Sequence, residues 1–440
     1  MLGVSKMTPG DGYLYFERQI AFGDQPRSCG LDLAEHQRNV GLPPGVWVGR
    51  AAALLGLQGE VTERQMLALF GEGLHPLADD ITADLIRTGA SVKQALKAIR
   101  LGTSYYGFGK NPTELARRIE ARATAIEKQR GGPVTHIEYR RIRRVEGMKA
   151  FRERYGWGPK GIRELDRFVR QHTAATRQPM AGWHCVAQAP PSIGQLWALG
   201  DETVRAVVER CHDEAVVATL RWIENHGLAT RSGHNGIAQH DVTTGLIGVR
   251  FRHFDSRAGD PGLHDHILVA NKVQNPQGKW RAIDGRHLLA HIVSASEVYN
   301  AEVVHRVCAA LGLAAVERTR PDGRRPVMEI AGVGEDLIDA ASSRSHAIRR
   351  RLLELTDAHR TEHGKEPSRA TRVKLASQAT LETRPTKKEV RPLSELRARW
   401  RERAIDTFGP EAVDDLLANA RAAARQLEAS RAWRAQPWRP

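Results

Sequence analysis

The sequence predicts an α+β protein in which pairs of strands are set among helices, and three stretches carry that prediction. Between Glu202 and Asn225, Val204, Val207, Val208, Cys211, Ala215, Ala218, Leu220 and Trp222 recur at roughly helical spacing, the mark of a long amphipathic helix. Residues 246–254 (LIGVRFRHF) and 264–271 (HDHILVAN) are short β-branched and aromatic runs. The loop between them holds Gly259, Pro261 and Gly262 and can reverse the chain, which would pair the two runs antiparallel. Beyond Glu335 the pattern is helical, rich in arginine and weakly apolar.

Taken in order, residues 1–100 alternate short apolar elements with Gly/Pro turns, the clearest being Gly41-Leu42-Pro43-Pro44-Gly45. Val46 to Leu57 then reads as an Ala/Leu-rich helix that ends near Gly56 and Gly59. Thr62-Glu63-Arg64-Gln65 ahead of Met66, Leu67, Leu69 and Phe70 is a capping box opening a second helix. Residues 101–179 read as a basic, partly helical insertion: Arg pairs at 117–118, 140–141 and 143–144 interleave with Tyr105, Tyr106, Tyr139, Tyr155 and Trp157. That mixture suits phosphate contact with base stacking, and equally an ordinary solvated helical face. Residues 180–334 form the expected core, with turns at His234-Asn235-Gly236 and Asn275-Pro276-Gln277-Gly278, a helix over 294–312, and a hairpin around Pro321-Asp322-Gly323. Residues 335–392 are expected to be helical with a Thr- and Lys-rich loop at 361–388, and 393–440 a basic tail of long exposed helices.

Composition limits the function. The 440 residues carry a formal charge of +15, and a polyanion such as nucleic acid is the default partner for that excess. No apolar run approaches the ~20 residues of a membrane span, and the N-terminus lacks the apolar core of a secretory signal. Cys29, Cys185, Cys211 and Cys308 lie far apart, so neither a disulfide framework nor a thiolate metal site is expected, and a cytoplasmic location fits.

The histidines carry the chemistry. On the period of two, His253 shares a strand face with Ile247, Val249 and Phe251. His264 and His266 share a face while Asp265 points away. If the two runs pair, three imidazoles converge, and three neutral imidazoles make an open metal site that can act as a Lewis acid. A three-histidine zinc hydratase or a cupin-like site fits this pattern too. Tyr13 and Tyr15, in GDGYLYFERQ (10–19), separate the readings: a hydratase has no need of them, whereas a metal-assisted DNA-nicking enzyme needs a tyrosine at the scissile phosphate.

With GDGYLYFERQIA (10–21), PGVWVGRAAALLGLQGEV (44–61), RHFDSRAGDPGLHDHILVANKVQ (252–274) and GKWRAIDGRHL (278–288), the chain resembles the MobF-type conjugative relaxases (the TrwC/TraI class) of the HUH endonuclease superfamily, over about residues 1–384. The resemblance implies an antiparallel palm-like sheet flanked by helices, with helical fingers over the DNA. It implies that His253, His264 and His266 bind a divalent cation, magnesium or manganese, with zinc as the alternative. It makes Tyr15 the nucleophile, with Tyr13 as runner-up, cutting single-stranded DNA at an origin of transfer and staying joined to the 5′ phosphate. Arg250, Arg252 and Arg257 are the candidates for phosphate contact.

The sequence departs from the family pattern in four places. His36-Gln37 stands where many relatives carry a second tyrosine pair. His184, in HCVAQ (184–188), replaces an acidic residue and can act as a base or an extra ligand but supplies no negative charge. Pro191 replaces an expected lysine, and no GxxxxGK[ST] motor motif occurs, so the motor is absent, separately encoded or lost; a separate helicase and transfer accessory proteins are the partners to expect in the second case. The rival expectations are a catalytically decayed relaxase acting as a DNA-binding accessory, and a rolling-circle replication or transposition nuclease.

Overall fold

Five strands organise the larger of two units in the computed structural model. Described are residues 2–9, 13, 16, 20, 31–105, 113–130, 134, 136–173, 179–319, 325–385 and 391–434. One unit comprises Met1–Thr103 and Ala181–Pro440, the other Ser104–Met180.

The strands, in chain order, are β1 (Leu2–Met7), β2 (Val46–Val48), β3 (Gly182–Gln188), β4 (Ala229–Ser232), β5 (Ala238–Asp241), β6 (Gly248–Asp255), β7 (Pro261–Ala270), β8 (Val273–Gln274), β9 (Trp280–Arg281), β10 (Ala315–Arg318) and β11 (Val327–Ile330). The main sheet runs β1-β3-β7-β6-β2, and each pairing in it is antiparallel. The remaining strands form three two-stranded ribbons. The expected hairpins at 234–236 and 275–278 join β4 to β5 and β8 to β9. β10 and β11 pair as well, and the Pro321-Asp322-Gly323 turn lies outside the described residues.

Helices Glu202–Trp222 and Gly285–Leu311 pack on each other beneath the sheet. The first is capped by Asp201, whose side chain accepts from Val204 N. The second begins nine residues before the expected start at 294, because Asp284 caps it by accepting from Arg286 N. Val46–Val48 is a strand and not the start of a helix, which runs only over Arg50–Leu54. Its β-branched residues pair with β6 instead, and Gly45 is needed beside them, since a Cβ there would stand 2.2 Å from the Phe251 ring. The Thr62 capping box forms, with Gln65 N bonded to Thr62 Oγ1 at 3.2 Å.

The Thr- and Lys-rich stretch expected as a loop is largely helix: Ser343–His363 and Arg369–Glu382 occupy most of it, the second capped by Ser368. The tail is also less exposed than expected. Leu396, Trp400 and Ala404 of helix Leu393–Phe408 are buried, as are Leu416, Ala420 and Ala424 after it. These small and aromatic positions recur every three or four residues, so one face of a highly charged helix still docks. The Trp400 ring lies tilted against that of Trp197, with centroids 5.6 Å apart, and its Nε1 donates to Gly259 O at 2.8 Å. Gly259 belongs to the loop between β6 and β7, where its φ of 82° favours glycine. Ser343 Oγ, from another C-terminal helix, donates to Asp260 of the same loop at 2.7 Å.

The smaller unit holds helices Glu114–Arg130, His136–Tyr155 and Ile162–Thr173 around Leu115, Ile119, Ile142, Phe151, Leu165 and Phe168. Gly147 lets two of them approach, as its Cβ would sit 2.1 Å from Val169. The interleaved aromatics divide between roles: Tyr139 donates to Glu120, while the Tyr155 ring packs 4.8 Å from Phe151. Tyr106 lies outside the described residues.

Two outcomes follow from this architecture. Trp400→Ala should lower stability by ~3–5 kcal/mol, measured by urea unfolding, since it removes a buried indole and its bond to the β6–β7 loop. The second concerns buried Lys272, whose Nζ donates to Thr103 O at 2.6 Å. Burial pushes its ammonium down to about 8. The unfolded chain, near ~10.4, therefore binds more protons in between, and stability should rise as pH climbs from ~8 to ~10. Lys272→Met should abolish that rise in urea midpoints taken across the window.

Candidate metal centre

Strand register brings the three histidines together. His253 stands directly opposite His264 in the β6–β7 pairing, and Phe251 opposite His266. Alternation puts all four on one face and sends Arg252 and Asp265, also directly opposite, to the other. The register shifts between His253 and Asp255, the kind of strand irregularity that re-aims a side chain beside a site. The imidazole centroids lie 4.8 Å (His253–His266), 4.9 Å (His264–His266) and 5.6 Å (His253–His264) apart. Among the described residues, this is the one group of three or more His, Cys, Asp or Glu side chains that offers ligand atoms all within 4.8 Å of one another.

The neighbours of the trio decide which nitrogens face a ligand. His264 Nδ1 bonds Gly262 O at 2.7 Å, so it carries the proton and leaves Nε2 with the lone pair. His266 Nδ1 is engaged by His184 Nε2 at 2.7 Å. β3 pairs with β7 so that His184 is a diagonal neighbour of His266 on the same face, and the two rings stack at 5.0 Å. His184 Nδ1 stands 3.3 Å from Ser5 Oγ on β1. His253 Nε2 bonds Ile20 O at 3.0 Å, and the Phe16 ring lies 4.7 Å from that of His184, so parts of the N-terminal segment reach this face.

Crowding keeps these rings neutral. Burial first, then the nearby His264, lowers His184 to about 4. Burial lowers His264, and burial with three surrounding imidazoles sets His266 well below its ordinary value. Neutral, desolvated imidazoles are the form that ligates a cation, and burial holds His264 and His266 in it, so the residues present fit a divalent metal.

The opposite face holds what the sequence reading missed. Asp265 is fully buried and receives Arg252 at 2.9 Å and 3.1 Å. His212 Nε2, from helix Glu202–Trp222, stands 3.2 Å from the same carboxylate, and His212 Nδ1 pairs with Tyr299 Oη at 2.7 Å. Burial alone would raise the Asp265 carboxyl, but His212 and then Arg252 hold it well below the usual range. The signal was present in HDH, where the middle residue of a site strand must point into the core.

Arg250 and Arg252, expected as phosphate contacts, are engaged here instead. Both pair with Asp213, Arg250 at 2.7 Å, on the face away from the histidines. Arg257 lies on the β6–β7 loop, and the Arg344 guanidinium is lowered by burial and by the nearby charges of Arg384 and Arg257. Arg257 and Arg384 thus each act on Arg344. Tyr13 is buried, and its ring lies 3.7 Å from where a Cβ on Gly71 would sit. Tyr15 lies outside the described residues. His36 and Gln37 are buried, and Gln37 Oε1 accepts from Gly45 N at 2.9 Å, so this pair anchors the turn into β2.

An antiparallel sheet with three imidazoles gathered on one face defines a protein with a candidate three-histidine metal centre. A sequence model of the TrwC relaxase family matches residues 9–407, and the chain belongs to that family. It is similar to the multifunctional conjugation protein TraI of Escherichia coli, 29% identical over 220 residues, and to that of strain K12, 26% identical over 235. The alignments take in 48% and 51% of this chain but 11% and 12% of those much longer proteins. Among solved structures, a copper-bound complex of the conjugative relaxase TrwC with oriT DNA superposes with a TM-score of 0.53 at 20% identity, covering 92% of this chain and 98% of that one. A metal-free TrwC complex with oriT DNA gives 0.51 at 20% identity over the same shares. The α+β fold with its antiparallel sheet is thus the family's fold.

Asp265→Asn should lower stability by ~3–5 kcal/mol, because it removes the buried carboxylate on which Arg252 and His212 converge. Urea unfolding measures that loss, and histidine side-chain NMR should report displaced rings at 264 and 266.

Proposed function

We propose that the protein is a relaxase: it binds single-stranded DNA at an origin of transfer and nicks it by tyrosine transesterification. The observation that carries the reading is the convergence of His253, His264 and His266 on the open face of a sheet in a member of the TrwC family. The complexes of TrwC with oriT DNA supply the ligand class.

In this reading Tyr15 is the nucleophile. Its phenol oxygen forms a bond to the scissile phosphorus as the bond from phosphorus to the 3′ oxygen breaks, and the phenolic proton ends, net, on the freed 3′ hydroxyl. The 5′ phosphate stays esterified to Tyr15, which preserves a phosphodiester and allows resealing without ATP. A divalent cation, magnesium or manganese, held by the three imidazoles would withdraw charge from the phosphate. If His253 ligates through Nε2, it must give up the Ile20 carbonyl, so cation and N-terminal segment compete for that nitrogen. His184, lowered to about 4, is a poor proton acceptor and serves to hold the His266 ring. Buried Tyr13 packs, and Arg257 with Arg344 and Arg384 meets phosphate. The helices within 335–392 form the finger-like cover over DNA. No described helix is long and apolar enough to cross a membrane; we place the protein in the cytoplasm, with a helicase and transfer accessory proteins among its partners.

The test is a covalent band on a denaturing gel after incubation with a labelled single-stranded origin oligonucleotide and Mn2+. Tyr15→Phe and chelation should each abolish the band, and Mn2+ or Mg2+ should restore the chelated sample. Tyr13→Phe should retain it, and His184→Ala should slow its formation by ~10–100-fold. A protein that forms no adduct with any divalent metal would instead be a DNA-binding accessory.

A further inference from the structure

The smaller unit carries most of the chain's charge and nothing in the nicking reaction uses it. Residues 104–180 hold 18 Lys+Arg against 8 Asp+Glu, a net +10 of the chain's +15. Several of those acids are already committed: Glu153 to Arg118 at 2.6 Å, Glu138 to Arg130 at 2.6 Å, and Glu146 to Lys149 at 3.0 Å. Glu164 accepts from the Lys160 backbone at 2.5 Å.

The unmatched charge gathers around one feature. The connection from helix His136–Tyr155 to helix Ile162–Thr173 reads Gly156-Trp157-Gly158-Pro159-Lys160-Gly161. Trp157 is 64% exposed, a large indole left in water. Glycines on either side leave its ring unshielded, and Gly156, at φ 78°, supplies the turn. Tyr155 lies 5.9 Å from it, tilted by 33°, and Arg154 stands 5.8 Å from the Tyr155 ring. Arg152 reaches the same loop, its Nε 3.9 Å from where a Gly158 Cβ would sit. Exposed Lys160 and Arg163 follow on the other side.

We propose that the Ser104–Met180 unit has a nucleic-acid-binding site of its own, in which an unpaired base stacks on Trp157 and flanking phosphates pair with Arg152, Lys160 and Arg163. Exposed aromatic rings set among cations are what single-stranded nucleic acid requires, since stacking is sequence-tolerant and guanidinium matches phosphate. An anionic membrane fits less well, because the exposed stripe of the long helix carries Arg141, Lys149 and Arg152 with Val145 the one apolar residue among them, where an inserting helix would need an apolar face. The proposal does not depend on the strand-cutting reading: a protein that forms no tyrosine adduct still gives or withholds the signal described next.

The full chain is photocrosslinked to an oligothymidylate carrying 5-iodouracil, and the peptides are mapped. Binding of a fluorescein-labelled oligothymidylate is followed by anisotropy across a salt series, with thermal unfolding as the control for folding. We expect a crosslinked peptide containing Trp157. Trp157→Ala should weaken binding about tenfold, and Trp157→Phe should keep most of it. The Arg152→Gln/Lys160→Gln/Arg163→Gln variant should bind at least ~10-fold more weakly, with the logarithmic salt slope shallower by ~2. The proposal is overturned if that variant keeps wild-type affinity and slope, or if crosslinks map only outside residues 104–180. It is overturned equally if oligothymidylate binding is unchanged by Trp157→Ala while binding to phosphatidylserine vesicles is lost.

Discussion

The buried pair of Arg252 and Asp265 is the constraint on which the site rests. Each lies directly opposite the other across the β6–β7 pairing, so their contact fixes the register of the two strands that carry the histidines. A slip by one residue would turn His264 and His266 into the core and Asp265 into the open. It would also leave the buried Arg252 guanidinium without the Asp265 carboxylate, a penalty of several kcal/mol. The ion pair thus acts as a registration mark whose stabilisation is secondary to the arrangement it excludes. His212 and Tyr299 extend it into the two helices beneath, tying the sheet to its support.

The loop that follows His253 is secured from the other end of the chain. Trp400 holds the Gly259 carbonyl and Ser343 holds the Asp260 carboxylate, so C-terminal helices set the position of the turn between the histidine strands. On the open face, the Ile20 carbonyl and the Phe16 ring meet His253 and His184. Sheet, tail and N-terminal segment thus all bear on the four imidazoles or on the loop between their strands.

Much of the centre was legible in the residues. Period-two alternation in RFRHF and HDH was enough to expect convergence of three imidazoles, because strand faces depend only on local spacing. The same alternation, followed one residue further, would have turned Arg250 and Arg252 away from the site; their partners, Asp213 and Asp265, were invisible because only tertiary pairing reveals them. β1 and β3 escaped notice since LGVSKM and GWHCVAQ have no clean alternation and are stabilised by pairing with neighbours. The docked tail was misread for a related reason: three buried positions on helix Leu393–Phe408 are diluted among arginines and glutamates, and composition outweighed pattern. The histidine at 184 illustrates a limit of another kind, as its ring was visible in the sequence but its bond to His266 was not.

The two junctions of the smaller unit are gripped by consecutive residues. The Asn271 amide donates to the Ala181 carbonyl at 2.8 Å, and the next side chain, Lys272, donates to the Thr103 carbonyl at 2.6 Å. Adjacent α-carbons lie ~3.8 Å apart, so the chain leaves the sheet and returns to it within reach of a bridge of only a few residues. The main sheet is complete without any strand from between those points. The helical unit thus departs from and rejoins the larger unit at neighbouring points, and the scaffold that aligns the imidazoles is built without it.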